Sequence, residues 1–469
     1  MQVSTVKFKN LNHEFRIDAE YYREEILNHL NVLVQHNKDR LENLVDFVIG
    51  PFGSTVTVDQ YVEKSDYRYV RNKDINNFLI KDDELALIPK DVFVSLPKYH
   101  IKENDLLITV VGTLGKVAIA KGRDTKSIFS CKSTIIRTKN INPFYLLTYL
   151  NTSTGNLFSL RGKRGAIQEG LNLPDLKEIQ VFIPSTQFQE LIESTVKQSF
   201  KDTEESKNLF EAAKNALLSE LGIANWQPKH QLTFVKNYSD TEQAERIDAE
   251  YYQPKYEEIV KAIQNYSGGW DTLVNLVTVK KCVEVGSGEY REEGIPFVRV
   301  SNISPFELTE EKYISEKLYQ KIKQHQPNKG EILFSKDASP GTAYYLNESP
   351  QKMIPSGGIL RLKNKSGKIN NEYLTLVLNS ILTKEQVNRD VGGSVILHWR
   401  PDQVKETAIP ILSEAKQAQI QQKVTESFNL RKQSKHLLGC SKRAVEMAIE
   451  QDEQTAINWL EDETKKIQI

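Results

Sequence analysis

What the 469-residue chain lacks narrows its class before any motif is found. It has three cysteines, Cys131, Cys282 and Cys440. They are odd in number, far apart and free of any CxxC pair, which argues for reduced, packed thiols rather than a disulfide scaffold or a zinc site. The eight histidines do not cluster and there is no HExxH, so no metal site is expected. No apolar run approaches the ~20 residues a membrane helix needs. The opening MQVSTVKFKNLNHEF lacks the basic-then-apolar layout of a signal peptide, and the expectation is a cytoplasmic protein with no membrane contact. There is no GxxxxGK[ST] and no G-x-S-x-G. The 62 basic residues balance the 62 acidic ones. Zero net charge argues against coating nucleic acid through bulk electrostatics, but local basic patches remain open.

What is present is a duplication. RIDAEYY runs from Arg16 to Tyr22 and again from Arg246 to Tyr252. Tyr69-Val70-Arg71 answers to Phe297-Val298-Arg299, and Asn104-Asp105-Leu106-Leu107-Ile108 to Gly330-Glu331-Ile332-Leu333-Phe334. A glycine turn and a small apolar strand follow each, VGTLGKVAIA and KDASPGTAYYL. Ser133-Thr134-Ile135-Ile136-Arg137 answers to Gly357-Gly358-Ile359-Leu360-Arg361, and Ile183-Pro184 to Ile409-Pro410. The offsets run from 224 (Ser133 to Gly357) to 230 (Arg16 to Arg246). One long period means two copies of a whole domain; a solenoid would repeat every ~20–50 residues.

Each copy reads alike. A short amphipathic helix opens it, with Tyr22, Ile26, Leu30 and Leu33 at helical spacing, Asp18 as its expected cap and Glu20 in its first turn. Short β-branched runs follow, broken by Gly, Pro and Asn, with a helix at 143–151 or 371–379. A long helix closes each copy. One apolar stripe runs Phe188, Ile192, Val196, Phe200, Phe210, Leu217, Leu221, and the other Ile420, Val424, Phe428, Leu438, Val445, Ile449. Narrow stripes suit a two-helix seam. The fold class is therefore α+β: two duplicated globular α/β domains separated by two long, antiparallel, coiled-coil-like helices in pseudo-twofold arrangement. The expected boundaries are 1–185, 186–235, 236–412 and 413–469.

Two motifs imitate active sites. Asn142-Pro143-Phe144-Tyr145 is near the Asn/Asp-Pro-Pro-Tyr/Phe of adenine methyltransferases, which holds a flipped base. Its second proline is missing and its duplicate is Asn370-Asn371-Glu372-Tyr373, so helix capping explains it. Pro401-Asp402 with Glu414 and Lys416 imitates a nuclease pattern, but Glu414 and Lys416 fall at a helix start rather than on adjacent strands. No residue is assigned a catalytic role. The loops from Arg161 and from Arg389 are basic and glycine-rich at equivalent places, suited to phosphate and base-edge contact. Two further basic runs recur, Lys126, Lys132, Arg137, Lys139 and Arg361, Lys363, Lys365, Lys368.

Taken in order, these features resemble the specificity subunit of type I restriction-modification systems. The carriers are the doubled RIDAEYY, the Val70-Arg71…Ile75 and Val298-Arg299…Ile303 runs, the turns at Asn104 and Gly330, and Ile-Pro…Gln…Ile leading into each long helix at Gln189 and Gln417. The resemblance implies two target recognition domains, each reading one half of a split sequence in double-stranded DNA. It implies helices that set the gap and dock two methyltransferase subunits, to which restriction subunits join. No cofactor is expected on this chain; S-adenosylmethionine, Mg and ATP would sit on the partners. The residues expected at DNA are Arg71, Lys73, Lys116, Arg161, Lys163, Arg164 and Gln168 in the first copy. In the second they are Arg299, Ser301, Asn302, Lys336, Thr342, Arg389, Gly392, Gly393, Ser394, His398 and Arg400. Arg16, Asp18, Tyr22, Gln189 and Ile192, with Arg246, Asp248, Tyr252, Gln417 and Ile420, are expected to anchor the domains or dock partners. The loops differ between copies, so the half-sites should differ. Gln417 sits two residues later than Gln189 relative to its Ile-Pro, and the second long helix contains Gly439 and is more polar than the first, which leaves the helix packing open. The alternatives are a self-contained adenine methyltransferase or nuclease, a non-DNA adaptor built on a helix pair, and a specificity subunit of a type IIB-like or methylation-only assembly.

Overall fold

The computed structural model describes Val6 and residues 16–165, 169–392 and 397–467. The chain divides into two compact units, residues 1–201 with 433–469, and residues 202–432. Both boundaries fall inside the long helices, so each unit holds part of each.

In the first unit a five-stranded sheet runs in the order Val45–Ile49, Ser133–Thr138, Leu106–Thr109, Val117–Ile119, Phe78–Leu79. Its pairs are antiparallel except the last. A smaller sheet joins Leu87–Ile88, Tyr67–Val70 and Ser127–Phe129. Side chains alternate across the larger sheet as period-two geometry demands. Leu106, Ile108, Val117, Ile119 and Ile136 enter the main core with the helices. Leu107, Ala118 and Ile135 enter a second core on the other face. With both faces covered, these strands read as unbroken apolar runs.

The second unit repeats the plan with one strand fewer. Its main sheet is Val277–Lys281, Ile359–Asn364, Glu331–Ser335, Ala343–Tyr345, all antiparallel. Ile332, Phe334, Leu360 and Leu362 face one core, while Leu333 and Ile359 face the other. In each unit the strand containing the Ile-Pro pair or leading into it pairs antiparallel with a short strand, Gln180–Phe182 with Lys38–Arg40 and Ala408–Pro410 with Trp270–Thr272.

The recurrence of the acidic turn and of the Ile-Ile-Arg or Ile-Leu-Arg run has one cause. Arg137 Nε and Nη2 donate to the two carboxylate oxygens of Asp105, each at 2.7 Å. Arg361 does the same to Glu331 at 2.7 and 3.0 Å. These two arginines of the basic runs are thus bidentate partners of a neighbouring strand's carboxylate.

The long helices span Thr186–Glu220 and Glu414–Glu450. At about 1.5 Å per residue each is roughly 50 Å long. They run antiparallel within each unit. In the first, Ser185 N donates to Glu453, just beyond the second helix, and Ser199 Oγ donates to Ser434 O at 3.0 Å. In the second, Ser206 and Ser427 hydroxyls meet at 3.0 Å and Glu220 pairs with Lys416 at 3.2 Å. Ser199, Ser206 and Ser427 are fully buried, so the seam continues through small polar residues where the apolar stripe is interrupted. Gly439 does not break the helix: it lies on the exposed side with open space around it.

The two-residue shift of Gln417 is absorbed locally. Gln189 Oε1 accepts from Asn142 N at 3.0 Å and Gln417 Oε1 from Asn370 N at 3.1 Å, both 47 residues away. The side-chain amides donate to Pro184 O and Leu412 O, both five residues back. No residues are inserted: Pro410 takes the place of Phe182 in strand pairing and against the tyrosine hydroxyl, so it is the second Ile-Pro pair that stands two residues earlier. Asn142 and Asn370 are N-caps, accepting from Tyr145 N and Tyr373 N at 3.2 and 2.8 Å. Tyr145 and Tyr373 are fully buried, with hydroxyls donating to Phe182 O and Pro410 O. That arrangement is a capped core helix and leaves no ring to stack on a base.

Two expectations need correction. Asp18 does not cap the opening helix, which starts only at Glu24 after an extended Arg23. Asp18 instead accepts from Tyr21 N at 3.1 Å, closing a turn over residues 18–22. Residues 413–469 form two helices rather than one. Asp452 accepts from Thr455 N at 2.9 Å and starts a separate helix, Glu453–Ile467.

Candidate nucleic-acid interface

Each repeated heptapeptide builds one half of a charged anchor. Arg16 donates to Asp18 at 2.8 and 3.1 Å, reaches Asp175 at 3.2 Å and stacks 4.4 Å above the Tyr21 ring. Arg161 lies on the same ring at 3.9 Å and donates to Tyr21 O at 3.0 Å. Its burial pulls the guanidinium below its ordinary pKa. Arg164 makes a bidentate pair with Asp175 at 2.8 and 3.0 Å. In the second unit Arg246 holds Asp248 at 2.7 and 2.8 Å, donates to Asp390 O and stacks 4.4 Å from Tyr251. Arg389 donates to Asp390 at 2.7 Å. The ring under the guanidinium is thus Tyr21 or Tyr251. Tyr22 is buried beside Tyr21, and the Tyr252 hydroxyl donates to Arg246 O at 2.7 Å. The anchor binds the start of each copy to the basic loop late in it.

Beyond the anchor, three segments converge in each unit. In the first they are the turn at 71–76, the glycine turn at 110–116 and residues 164, 165 and 169–171. Arg71 donates to Asp74 at 2.9 and 3.0 Å, fixing the turn after the strand Tyr67–Val70. Asn72 Nδ2 then donates to Val111 O at 3.1 Å, and Lys116 Nζ to Asn76 at 3.0 Å. Leu171 N donates to Val110 O at 2.9 Å, bringing in the third segment. Gly112 and Gly115 have φ of +82° and +75°, conformations that favour glycine.

In the second unit the segments are 299–303, 336–342 and 397–400, with Gly392. Arg299 N is capped by Asn302 Oδ1 at 3.0 Å, and Arg299 pairs with Glu311 at 2.6 Å. Asn302 is buried by this role, while Ser301 beside it is exposed. Gly358 lies so close to this turn that a Cβ there would come within 2.9 Å of Val300 Cγ2. Lys336 N donates to Gly358 O and Trp399 N to Lys336 O, at 2.9 and 2.8 Å. His398 Nδ1 lies 2.9 Å from Asp337 Oδ1, and Gly392 pairs with His398 through the backbone. The glycine turns are built alike. The Thr109 hydroxyl accepts from Lys116 N and the Ser335 hydroxyl from Thr342 N, both at 2.9 Å.

The candidates therefore separate by environment. Lys73, Lys163, Ser301, Gly392, His398 and Arg400 are exposed, although Lys73 and Lys163 pair with Glu84 and Glu169. Lys116, Lys336 and Thr342 are half-buried at loop edges. Arg161, Arg164, Arg389 and Asn302 hold the chain to itself. Gln168, Gly393 and Ser394 lie outside the described residues. Sequence reading passed over Asp175, Asp390 and Asp337, which organise the loops. Asp390 is adjacent to Arg389 and was legible; Asp175 and Asp337 meet their arginine or histidine only through the fold. It also passed over Asn72, whose Oδ1 is buried without a partner.

Comparison with known proteins bears on both copies at once. The family described as type I restriction modification DNA specificity domain matches residues 40–212 and again 270–436. The chain belongs to that family. It is similar to the type I restriction enzyme EcoBI specificity subunit of Escherichia coli, with 27% identity over 138 residues. That match spans 29% of this chain and 29% of the relative's length. Among solved structures it is similar to the type I restriction-modification S subunit from M. genitalium. The identity is 15%, the TM-score 0.38, and 90% of this chain and 95% of that one are covered. The HsdS subunit from Thermoanaerobacter tengcongensis gives 14%, 0.28, 89% and 97%. The two family segments contain both sets of converging loops, and each anchor straddles the start of its segment. Ammonium, imidazole, guanidinium and hydroxyl groups at such loop tips can contact phosphates and base edges. Among the described residues no helix is long and apolar enough to cross a membrane.

Proposed function

We propose that the chain is the non-catalytic DNA sequence-specificity subunit of a type I restriction-modification complex, working in the cytoplasm. Each copy acts as a target recognition domain for one half of a split, asymmetric sequence in double-stranded DNA. The observation that carries this reading is the double family match, with three topologically equivalent but chemically different loop sets in the two copies. Lys116 stands where the second copy has Thr342, and the loop after Arg161 differs from that after Arg389. Half-sites of different sequence follow. The long helices set the gap between half-sites and dock two methyltransferase subunits, with restriction subunits joining them. S-adenosylmethionine, Mg and ATP then serve the partners.

The test is co-expression with the cognate methyltransferase and single-molecule sequencing of the host DNA. Adenine methylation at one bipartite motif is expected. Replacing Lys73, Lys116 and Lys163 with alanine should weaken DNA binding and lower its salt dependence, each phosphate contact removed reducing the slope by about 1. Absence of any bipartite motif would overturn the proposal.

A further inference from the structure

The first unit holds a group of three unlike metal-ligating atoms, none of them from the converging loops. His436 and Cys440 stand one turn apart on the same face of the second long helix. Glu463 comes from the helix Glu453–Ile467, which folds back along it after Asp452. His436 Nε2 lies 3.4 Å from Cys440 Sγ and 3.6 Å from Glu463 Oε2, and the three ligand atoms all fall within 4.8 Å of one another.

Those separations can be compared with a coordination sphere. Zinc binds sulfur at about 2.3 Å and nitrogen or oxygen at about 2.0–2.1 Å in tetrahedral geometry, which places ligand sulfur and nitrogen roughly 3.5 Å apart and nitrogen and oxygen roughly 3.3 Å apart. The observed 3.4 and 3.6 Å are close to both values. The three atoms come from two helices and lie within 4.8 Å of one another, compact enough to share one ion. Lys466 holds the other carboxylate oxygen, Oε1, at 2.5 Å, so Oε2, which faces His436, is the oxygen placed to ligate. The Cys440 side is buried and His436 is half exposed, so an ion would enter from the solvent side and keep one position for water.

We propose that His436, Cys440 and Glu463 form a zinc site, with water as fourth ligand, that clips the C-terminal helix to the second long helix. A mixed nitrogen, sulfur and carboxylate set suits zinc over calcium or magnesium, which take oxygen donors. Burial and the neighbouring Glu463 push the Cys440 thiol up, so the ion must displace its proton on binding. The site adds a structural ion that the cysteine and histidine spacing alone did not suggest, because Glu463 reaches it only through the helical hairpin.

The test uses the full chain, stripped with a chelator and titrated with Co2+ and then Zn2+. One equivalent of Co2+ should give a thiolate-to-cobalt charge-transfer band in the near ultraviolet, and Zn2+ should abolish it. The Cys131→Ser/Cys282→Ser double variant should keep the band. Cys440→Ser should lose it, and His436→Gln and Glu463→Gln should each weaken Zn2+ at least tenfold, since even outer-shell changes cost 10–100-fold. Glu463→Gln alters a partly exposed side chain, so its result stands if Cys440→Ser does not fold. No band in the wild-type chain, a band retained in Cys440→Ser, or undiminished Zn2+ affinity in Glu463→Gln would each overturn the proposal.

Discussion

Replacing Arg361 with methionine tests the reading of the repeated acidic turn and Ile-Leu-Arg run most directly. The Arg361 and Glu331 side chains are 4% and 2% exposed. Glu331 accepts both guanidinium bonds and a further one from Asn328 N at 3.2 Å. Methionine keeps the packing volume but leaves a buried carboxylate facing an apolar chain. Breaking a buried pair in this way costs about 3–5 kcal/mol. At about 1.4 kcal/mol per tenfold, the local opening equilibrium rises roughly a hundred- to several-thousand-fold. Hydrogen exchange resolved by segment is the assay, because a two-unit chain need not unfold in one step. The strands Glu331–Ser335 and Ile359–Asn364 should lose protection together. Arg137 supplies an internal comparison: its side chain is 30% exposed, so water can reach the pair and Arg137→Met should cost less, about 2 kcal/mol. The double change Arg361→Met/Glu331→Leu removes both charges and should recover most of the loss. Unchanged protection in Arg361→Met, or a double variant as weak as the single one, would refute the argument.

Gln417→Ala deprives Asn370 N, Lys368 O and Leu412 O of their partner at a buried position, and should cost about 1–3 kcal/mol, read as lost protection in the helix Asn371–Leu378. Arg161→Ala should loosen residues 16–24 by about 1–2 kcal/mol through lost stacking on Tyr21, while leaving the salt slope of DNA binding unchanged. Hydrogen bonds from Arg16 and Arg246 hold Asp18 and Asp248 below the usual carboxylate value of 3.8. Their contribution is therefore fully present above about pH 4 and is lost as pH falls through the lowered folded value. Both are nearly half exposed, so the term is under about 1 kcal/mol. Asp18→Asn should converge on the wild type once pH falls below the lowered folded value, and be less protected over residues 16–22 at pH 7. Gly155→Ala should destabilise despite alanine's helical preference of about 1 kcal/mol, because its Cβ would lie 1.9 Å from Tyr149 O; thermal unfolding reads the sign.

The extent of legibility follows from the range of the forces involved. Strands buried on both faces and helices with a continuous stripe carry their pattern in neighbouring residues, and so did the caps at Asn142 and Asn370. Asp18 was misassigned because an acidic residue ahead of a helical pattern closes a preceding turn as readily as it caps the helix, and the choice depends on Arg16 reaching Asp175. The loop arginines were read as DNA contacts because a basic run looks the same in sequence whether or not a distant carboxylate meets it. The break at Asp452 was missed because the residues on both sides are equally good helix formers.

The sequence by itself determined the duplication, the alternation of buried faces, the two long helices and the family, since each rests on local periodicity or on the order of motifs. Only the tertiary structure decided which charges remain at the surface. Arg137, Arg361, Arg161 and Arg164 all find an aromatic ring or a carboxylate 11 to 140 residues away. The anchors, the converging loops and the His436, Cys440 and Glu463 cluster likewise join residues that no local pattern relates. Their partners are chosen by chain path and burial, because an ionised group withdrawn from water must be met by an opposite charge or hydrogen bonds wherever the fold supplies them.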